Sequence, residues 1–188
     1  MFRELVAKNR SYRRFHEDRP IERARLVELV EVARLCPSGC NMQPLRYLLS
    51  ADASTNGKIF PHLRWAALLK DWPGPAEGER PSGYVVILRD RSVAHPAGVD
   101  HGIVAQTMLL QSVDFGLGGC MVGAFDESGL RRALAIDEGL ELLLVVALGV
   151  PAETVVIEEA AGGDVAYWRS ADGVHHVPKR SLEALIVE

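Results

Sequence analysis

The sequence predicts an α+β fold in which a small sheet is covered by helices. Two short runs, residues 84–88 and 142–148, are apolar throughout and bounded by turn residues, the pattern of strands buried on both faces. Residues 21–35 place Leu26, Leu29, Val30 and Ala33 at helical spacing, with Glu28, Glu31 and Arg34 on the opposite face. A further helical stretch around residues 103–110 is apolar on nearly every side, which puts it between layers or across a subunit interface. Strands alternate with helices but are few and widely spaced.

The first helix stops near Cys36, because Pro37 disfavours helical backbone before it and Ser38-Gly39 continue as a turn. Residues 46–51 read as a short strand. Residues 56–70 look helical in their second half, with Pro61 near the helix start. Residues 71–83 hold Pro73, Gly74, Pro75, Gly78, Pro81 and Gly83 and form a loop, long enough to be a functional lid or a mobile insert. After the strand at 84–88, Asp100 caps a helix running to about Phe115, closed by Gly116. A short helix covers 126–134, and Gly149 and Pro151 end the strand at 142–148. The tail, 178–188, follows a turn at Asp172-Gly173 and mixes basic with apolar residues. With no internal repeat, low-complexity tract or linker, residues 1–188 are read as a single domain.

With 48% hydrophobic and 24% charged residues, the 188-residue chain can bury one stable core. No stretch approaches the roughly 18 to 20 apolar residues of a membrane span, and the N-terminus is charged too early for a secretory signal. The expectation is a cytoplasmic protein with no membrane partner. Three cysteines, Cys36, Cys40 and Cys120, are too few for a disulfide framework and read as buried free thiols. A net charge of −4 argues against nucleic-acid binding. Yet Lys8, Arg10, Arg13, Arg14, Arg19 and Arg23 crowd the N-terminal segment, which suggests a local anionic ligand.

Four constellations could carry chemistry. In Arg10-Ser11-Tyr12-Arg13-Arg14-Phe15, arginine forks match phosphate oxygens and a serine hydroxyl adds a short bond; a solvated basic face is the alternative. Residues 36–47 turn from a helix through Pro37, Ser38, Asn41 and Gln43 into a strand, bringing amides close to any planar polar ligand. Residues 116–125 (Gly-Leu-Gly-Gly-Cys-Met-Val-Gly-Ala-Phe) would let backbone N–H groups reach a ligand, or would simply cap a helix and enter a close-packed strand. Their spacing is neither a dinucleotide fingerprint nor a P-loop. His175 and His176 diverge on most backbones, while Lys179 and Arg180 offer a second anion contact. No nucleophile elbow or Ser-His-Asp pattern appears, so any hard chemistry belongs to a cofactor.

The order of these motifs, Arg-Ser-x-Arg-x-Phe, Pro-Ser-x-x-Asn-x-Gln-Pro, Gly-Leu-Gly-Gly-Cys-x-x-Gly and a closing Pro-Lys-Arg, resembles the nitroreductase superfamily of FMN-dependent oxidoreductases over essentially the whole chain. The resemblance implies a small, mostly antiparallel central sheet flanked by helices, and an intertwined homodimer with two FMN sites built from both chains. It assigns Arg10, Ser11 and Arg13 to the flavin phosphate, ribityl chain and pyrimidine edge. Pro37, Ser38 and Asn41 would approach from the partner chain. Backbone groups of Val122, Gly123 and Ala124 would lie against the isoalloxazine, and Lys179 or Arg180 would return to the phosphate. NADH or NADPH would reduce the flavin and a small acceptor would reoxidise it, in ping-pong exchange.

The chain is shorter than the larger members of the superfamily, lacks room for their extra helices, and carries the 71–83 segment in place of these. This segment, with Trp72, is the candidate lid over the flavin and the candidate determinant of acceptor choice. Rival readings are a specialised member that dehalogenates, oxidises its substrate or fragments flavin, a non-catalytic flavin-binding redox sensor, and a metal enzyme using His175, His176 and the cysteines.

Overall fold

The computed structural model describes residues 2–93 and 97–187. Among the described residues, five α-helices, α1 (Phe2–Lys8), α2 (Arg23–Ala33), α3 (Ala53–Ile59), α4 (Asp100–Asp114) and α5 (Glu127–Leu134), accompany two sheets. The main sheet holds β1 (Leu45–Ser50), β2 (Gly83–Asp90), β3 (Gly118–Val122) and β4 (Leu140–Gly149) in the order β1-β2-β4-β3, every pair antiparallel. A second sheet joins β5 (Val155–Glu159), β6 (Trp168–Arg169) and β7 (His175–Lys179) in the order β5-β7-β6, with β5 and β7 parallel. The expected α+β class and antiparallel central sheet with flanking helices are what the fold contains.

The apolar stretches 84–88 of β2 and 142–148 of β4 are those with both faces covered. Val85 and Ile87 of β2, with Val146 and Leu148 of β4, meet Leu26 and Leu29 of α2 and Val104 and Met108 of α4. Tyr84, Val86 and Leu88, with Val145 and Ala147, pack on the other face against Ile59, Trp65 and Leu130. The two-residue period divides one strand between two cores. α4 buries Val104, Ala105, Met108 and Leu109 on one side, while Ile103 and Leu110 are half-buried and Gln106 is exposed.

Several expectations need correction. The helix expected after Pro61 lies before it: Asp52 caps Ala53–Ile59 by accepting from Thr55 N at 2.8 Å, and Phe60–His62 is a tight 3-10 turn. Pro61 sits in that turn, and Leu63 and Trp65 are buried from extended backbone. Asp100 is the first residue of α4, with Val99 at the cap; its carboxylate serves the 38–39 turn instead. The glycine-rich segment 116–125 takes the alternative given for it, a helix end leading into a close-packed strand: Gly116, at φ 68°, follows α4, and β3 begins at Gly118. Only Cys120 of the three free thiols is buried; Cys40 is exposed. The tail expected from 178 begins inside β7.

The N-terminal segment closes the free edge of β3. Ser11 bridges to Gly119, Tyr12 N donates to Gly119 O at 3.1 Å, and Phe15 is buried beside Gly149. Close approach makes two glycines necessary. A Cβ on Gly119 would lie 2.2 Å from the Ala147 carbonyl oxygen, and one on Gly149 would lie 2.7 Å from the Phe15 ring. This edge sets where Arg10, Ser11 and Arg13 stand.

Candidate functional site

Two cavities meet where the N-terminal segment, β3 and the second sheet converge. The first, about 420 Å³, is lined by Arg10, Ser11, Arg13, His175 and Lys179, with Leu109 and Met121 supplying apolar wall. The second, about 440 Å³, is lined by Val122, Gly123 and Ala124 on one side and by residues 64–67 on the other. Arg13, Met121 and Tyr167 belong to both, so they form one two-chambered groove with a basic end and a flat, backbone-lined end.

Arg13 is held from several directions. Its guanidinium donates to Ser11 O at 3.3 Å and to His175 Nε2 at 3.4 Å, and lies over the Tyr167 ring at 5.3 Å. Because arginine only donates, His175 accepts through Nε2 and stays neutral. Burial, and then the Arg13 charge, holds the His175 imidazolium below its ordinary range. His175 Nδ1 and Arg10 Nε are buried in the groove wall without a protein partner.

The backbone beneath Arg13 is clamped by Glu153, whose side chain is 1% exposed. Its Oε1 accepts from the N–H groups of Arg13 and Arg14, and its Oε2 from Arg169 at 2.8 Å. A buried carboxylate with three donors is satisfied and rigid, whereas one left alone is expensive. Arg169 continues the chain by resting on the Trp72 ring at 4.6 Å. Arg14, with the same side-chain chemistry as Arg13, is bound elsewhere: its guanidinium pairs with Glu79, whose carboxyl that contact holds below its usual range.

The second chamber owes its shape to the path of residues 62–68 beside 124–126. Asp126 N donates to His62 O at 2.8 Å, Arg64 N donates to Ala124 O at 2.9 Å, and Tyr167 Oη accepts from Leu68 N at 3.2 Å. Ala66 takes a left-handed φ of 38° in this wall, a strained choice for a residue with a Cβ. Cys120 is buried in β3 at this chamber, and burial pushes its thiol up to about 12, so it is not a thiolate nucleophile at neutral pH.

Pro37 and Ser38 line a different cavity, with Tyr47, Asp100 and Val104. Ser38 Oγ donates to Asp100 Oδ2 at 2.6 Å and accepts from Gln43 N at 2.9 Å. Cys40, Asn41 and Gln43 all have positive φ, and Asn41 is exposed. Within one chain, then, none of residues 37–41 lines either chamber of the groove. Lys179 reaches the first chamber, while Arg180 is exposed and lines neither chamber. Trp72 also lines neither; it packs on the apolar cluster under α3 and α5. Among the described residues, no three or more His, Cys, Asp or Glu side chains gather as a metal-binding group. Nor is any helix of theirs long and apolar enough to cross a membrane.

Sequence reading missed Glu153, Tyr167 and Arg169, and singled out His175 only as one of two adjacent histidines. Alternation along β7 explains the pair: His175 faces the groove, and His176 stacks on Trp168 with centroids 3.9 Å apart. No local signal marks Glu153, because its two backbone donors lie about 140 residues upstream and Arg169 lies 16 residues downstream.

Residues 6–150 match the model of the nitroreductase family. The structure is similar to that of a nitroreductase family protein from Streptococcus pneumoniae (TM-score 0.70, 16% identity, 86% of this chain and 96% of that one covered). It is also similar to an FMN-dependent nitroreductase from Clostridium difficile (TM-score 0.63, 19% identity, 85% and 91% covered). A third similar structure, from Staphylococcus epidermidis, is provisionally named an NAD(P)H:FMN oxidoreductase (TM-score 0.67, 17% identity, 81% and 88% covered). No curated protein matches the sequence. With more than three quarters of its length inside the family match, the chain belongs to the nitroreductase family.

Proposed function

We propose that this protein is an FMN-dependent oxidoreductase that takes reducing equivalents from NADH or NADPH and passes them to a small acceptor such as a nitroaromatic or a quinone. The observation that carries this reading is the groove itself, with Arg10, Ser11, Arg13 and Lys179 at one end and the Val122–Ala124 backbone at the other. The names of the similar structures from Clostridium difficile and Staphylococcus epidermidis support the same cofactor and reductant.

The residues fit the group. Arg10 Nε and His175 Nδ1 are buried donors with no partner among the described residues, and Arg13 makes no ion pair among them. Arg10, Ser11 and Lys179 would hold the phosphate and ribityl oxygens, and Arg13 would sit at the pyrimidine edge. Bound FMN supplies the redox chemistry, accepting hydride from the nicotinamide and returning electrons to the acceptor. Arg13 contributes a fixed positive charge that favours negative charge developing beside it, at no reorganisation cost because Glu153 and Tyr167 hold it in place. The exposed Gly123 and Ala124 offer backbone at the flat end. The reductant and acceptor share one groove in turn, which predicts parallel lines in double-reciprocal plots.

The protein is proposed to work as a homodimer, with Pro37, Ser38 and Asn41 completing the partner's site. Exposed Phe2 and Val6 on α1, and Leu182, Leu185 and Ile186 in the tail, are apolar surface that an interface would cover. Residues 71–83 are assigned to acceptor choice, through Trp72 and the Arg169 guanidinium stacked on it.

The test is spectroscopic. The purified protein is expected to show flavin bands, to bleach under NADH or NADPH without oxygen, and to recover colour with an acceptor. A colourless protein that takes up no added FMN overturns the proposal.

A further inference from the structure

A cavity of about 470 Å³ shares no lining residue with the flavin groove. It lies between Glu17, the start of α3 and the 80–82 entry to β2. We infer that it is a second binding site, for a small carboxylate with an apolar or aromatic body.

The argument starts from groups left without partners. Tyr84 is 0% exposed and Ser82 7% exposed, and among the described residues neither Tyr84 Oη nor Ser82 Oγ makes a hydrogen bond. Arg80 Nε is likewise buried and unpartnered. Buried polar atoms in folded proteins nearly always have partners, so three around one cavity point to an occupant. Asn56 is not available to it: its amide donates to Ser82 O at 2.9 Å and accepts from Ser50 Oγ at 2.6 Å, latching the rim together.

The three available groups also state what they want. Arg80 presents a permanent cation over the Phe60 ring at 4.6 Å and makes no ion pair among the described residues. The nearby Glu17 carboxylate does not neutralise it by direct contact, since Glu17 Oε2 is taken by the backbone N–H groups of Gly78 at 2.6 Å and Arg80 at 3.3 Å. Burial pushes the Tyr84 phenol well above its ordinary range, so it remains a hydroxyl donor, as does Ser82. One guanidinium and two hydroxyls on residues that line the cavity are all donors, which an anion suits better than a second cation or another donor. Water could meet the hydroxyls but leaves the cation unpaired. Phe60, Pro61 and Pro81 supply flat apolar walls, which suit a hydrocarbon or aromatic body more than a bare inorganic ion.

This inference does not rest on the flavin reading, and its test reads position. Crystals of the protein prepared with excess FMN are soaked with 4-bromobenzoate, and the bromine is located by anomalous scattering. The expected result is bromine against Phe60 and Pro81, with the carboxylate on Arg80. Bromine confined to the flavin groove, or nowhere, overturns the site. In solution, Arg80→Gln is expected to weaken or abolish one benzoate binding event by roughly tenfold or more, and Tyr84→Phe to weaken it less. Benzamide, which lacks the charge, is expected to bind more weakly than benzoate. Equal binding of the two, or unchanged benzoate affinity in Arg80→Gln, overturns the carboxylate assignment. Tyr84→Phe removes one oxygen and keeps the ring, so it reports on the site even if Arg80→Gln is poorly folded.

Discussion

Residues 10–15 and residues 153–179 line the same groove but are held in different ways. The first segment is pinned by backbone bonds to the edge of β3 and by the fit of Phe15 against Gly149. The second is a small, half-exposed sheet whose grip on the rest runs through side chains: Glu153 to the Arg13 backbone, Tyr167 to Leu68 and Arg13, and His175 to Arg13. The first segment supplies Arg10 and Arg13; the second adds Lys179 and fixes where Arg13 points. Most of the charge and most of its positioning therefore come from opposite ends of the chain, and they can be damaged separately.

Glu153→Gln attacks the joint between the two regions and is expected to have the largest effect. It removes the charge opposite Arg169 inside a nearly closed site, which costs about 3 kcal/mol. The melting temperature should drop by several degrees, and FMN affinity should drop with it. An unchanged melting curve would remove Glu153 from its role. Gly149→Ala presses a methyl into Phe15 and is expected to cost about 1–3 kcal/mol in urea unfolding. If instead it is neutral, the N-terminal segment is less tightly seated than its packing implies.

Arg13→Gln separates binding from stability. It is expected to weaken FMN binding roughly ten- to a hundredfold, while the flavin-free protein melts nearly as before. Equal losses in both would merge the two roles.

His175 adds a pH dependence with a definite sign. Its native protonation is disfavoured, so the unfolded chain binds a proton more readily as pH falls through the ordinary range near 6.5. The stability contributed by neutral His175 is present above that range and is lost as pH falls through its lowered native value. Between about pH 7.5 and about pH 5.5 the wild type should lose more stability than His175→Gln. Parallel losses would show that this imidazole is not linked to folding. Trp72→Ala, the smallest expected change, should leave FMN binding intact and alter the kinetics of at least one acceptor. If every acceptor behaves as before, the 71–83 segment does not set acceptor choice.

The parts that sequence made legible are those with a local pattern. α2 shows its helical period, β2 and β4 contain the unbroken apolar runs 84–88 and 142–148, and the Arg-Ser-x-Arg motif marks a basic segment that lines the groove in the folded chain. α3 was illegible because Ala-Ser-Thr-Asn-Gly-Lys-Ile carries no apolar stripe; only its Asp52 cap and its packing define it. Leu63 and Trp65 imitate helical spacing but are buried from extended backbone beside residues 124–126. The second sheet depends on a parallel pairing of β5 with β7 across an intervening loop, which neither strand reveals alone. Glu153 looks like a surface acid after Pro151-Ala152 until the fold brings the Arg13 and Arg14 amides to it.

The most direct test of the central claim is a crystal structure of the protein soaked with FMN. The expected density places the phosphate among Arg10, Ser11 and Lys179, the pyrimidine edge at Arg13 and the ring system along Val122–Ala124, with Pro37, Ser38 and Asn41 of a second copy closing the site. Flavin bound anywhere else, or a well-ordered crystal that takes up none, would contradict the account.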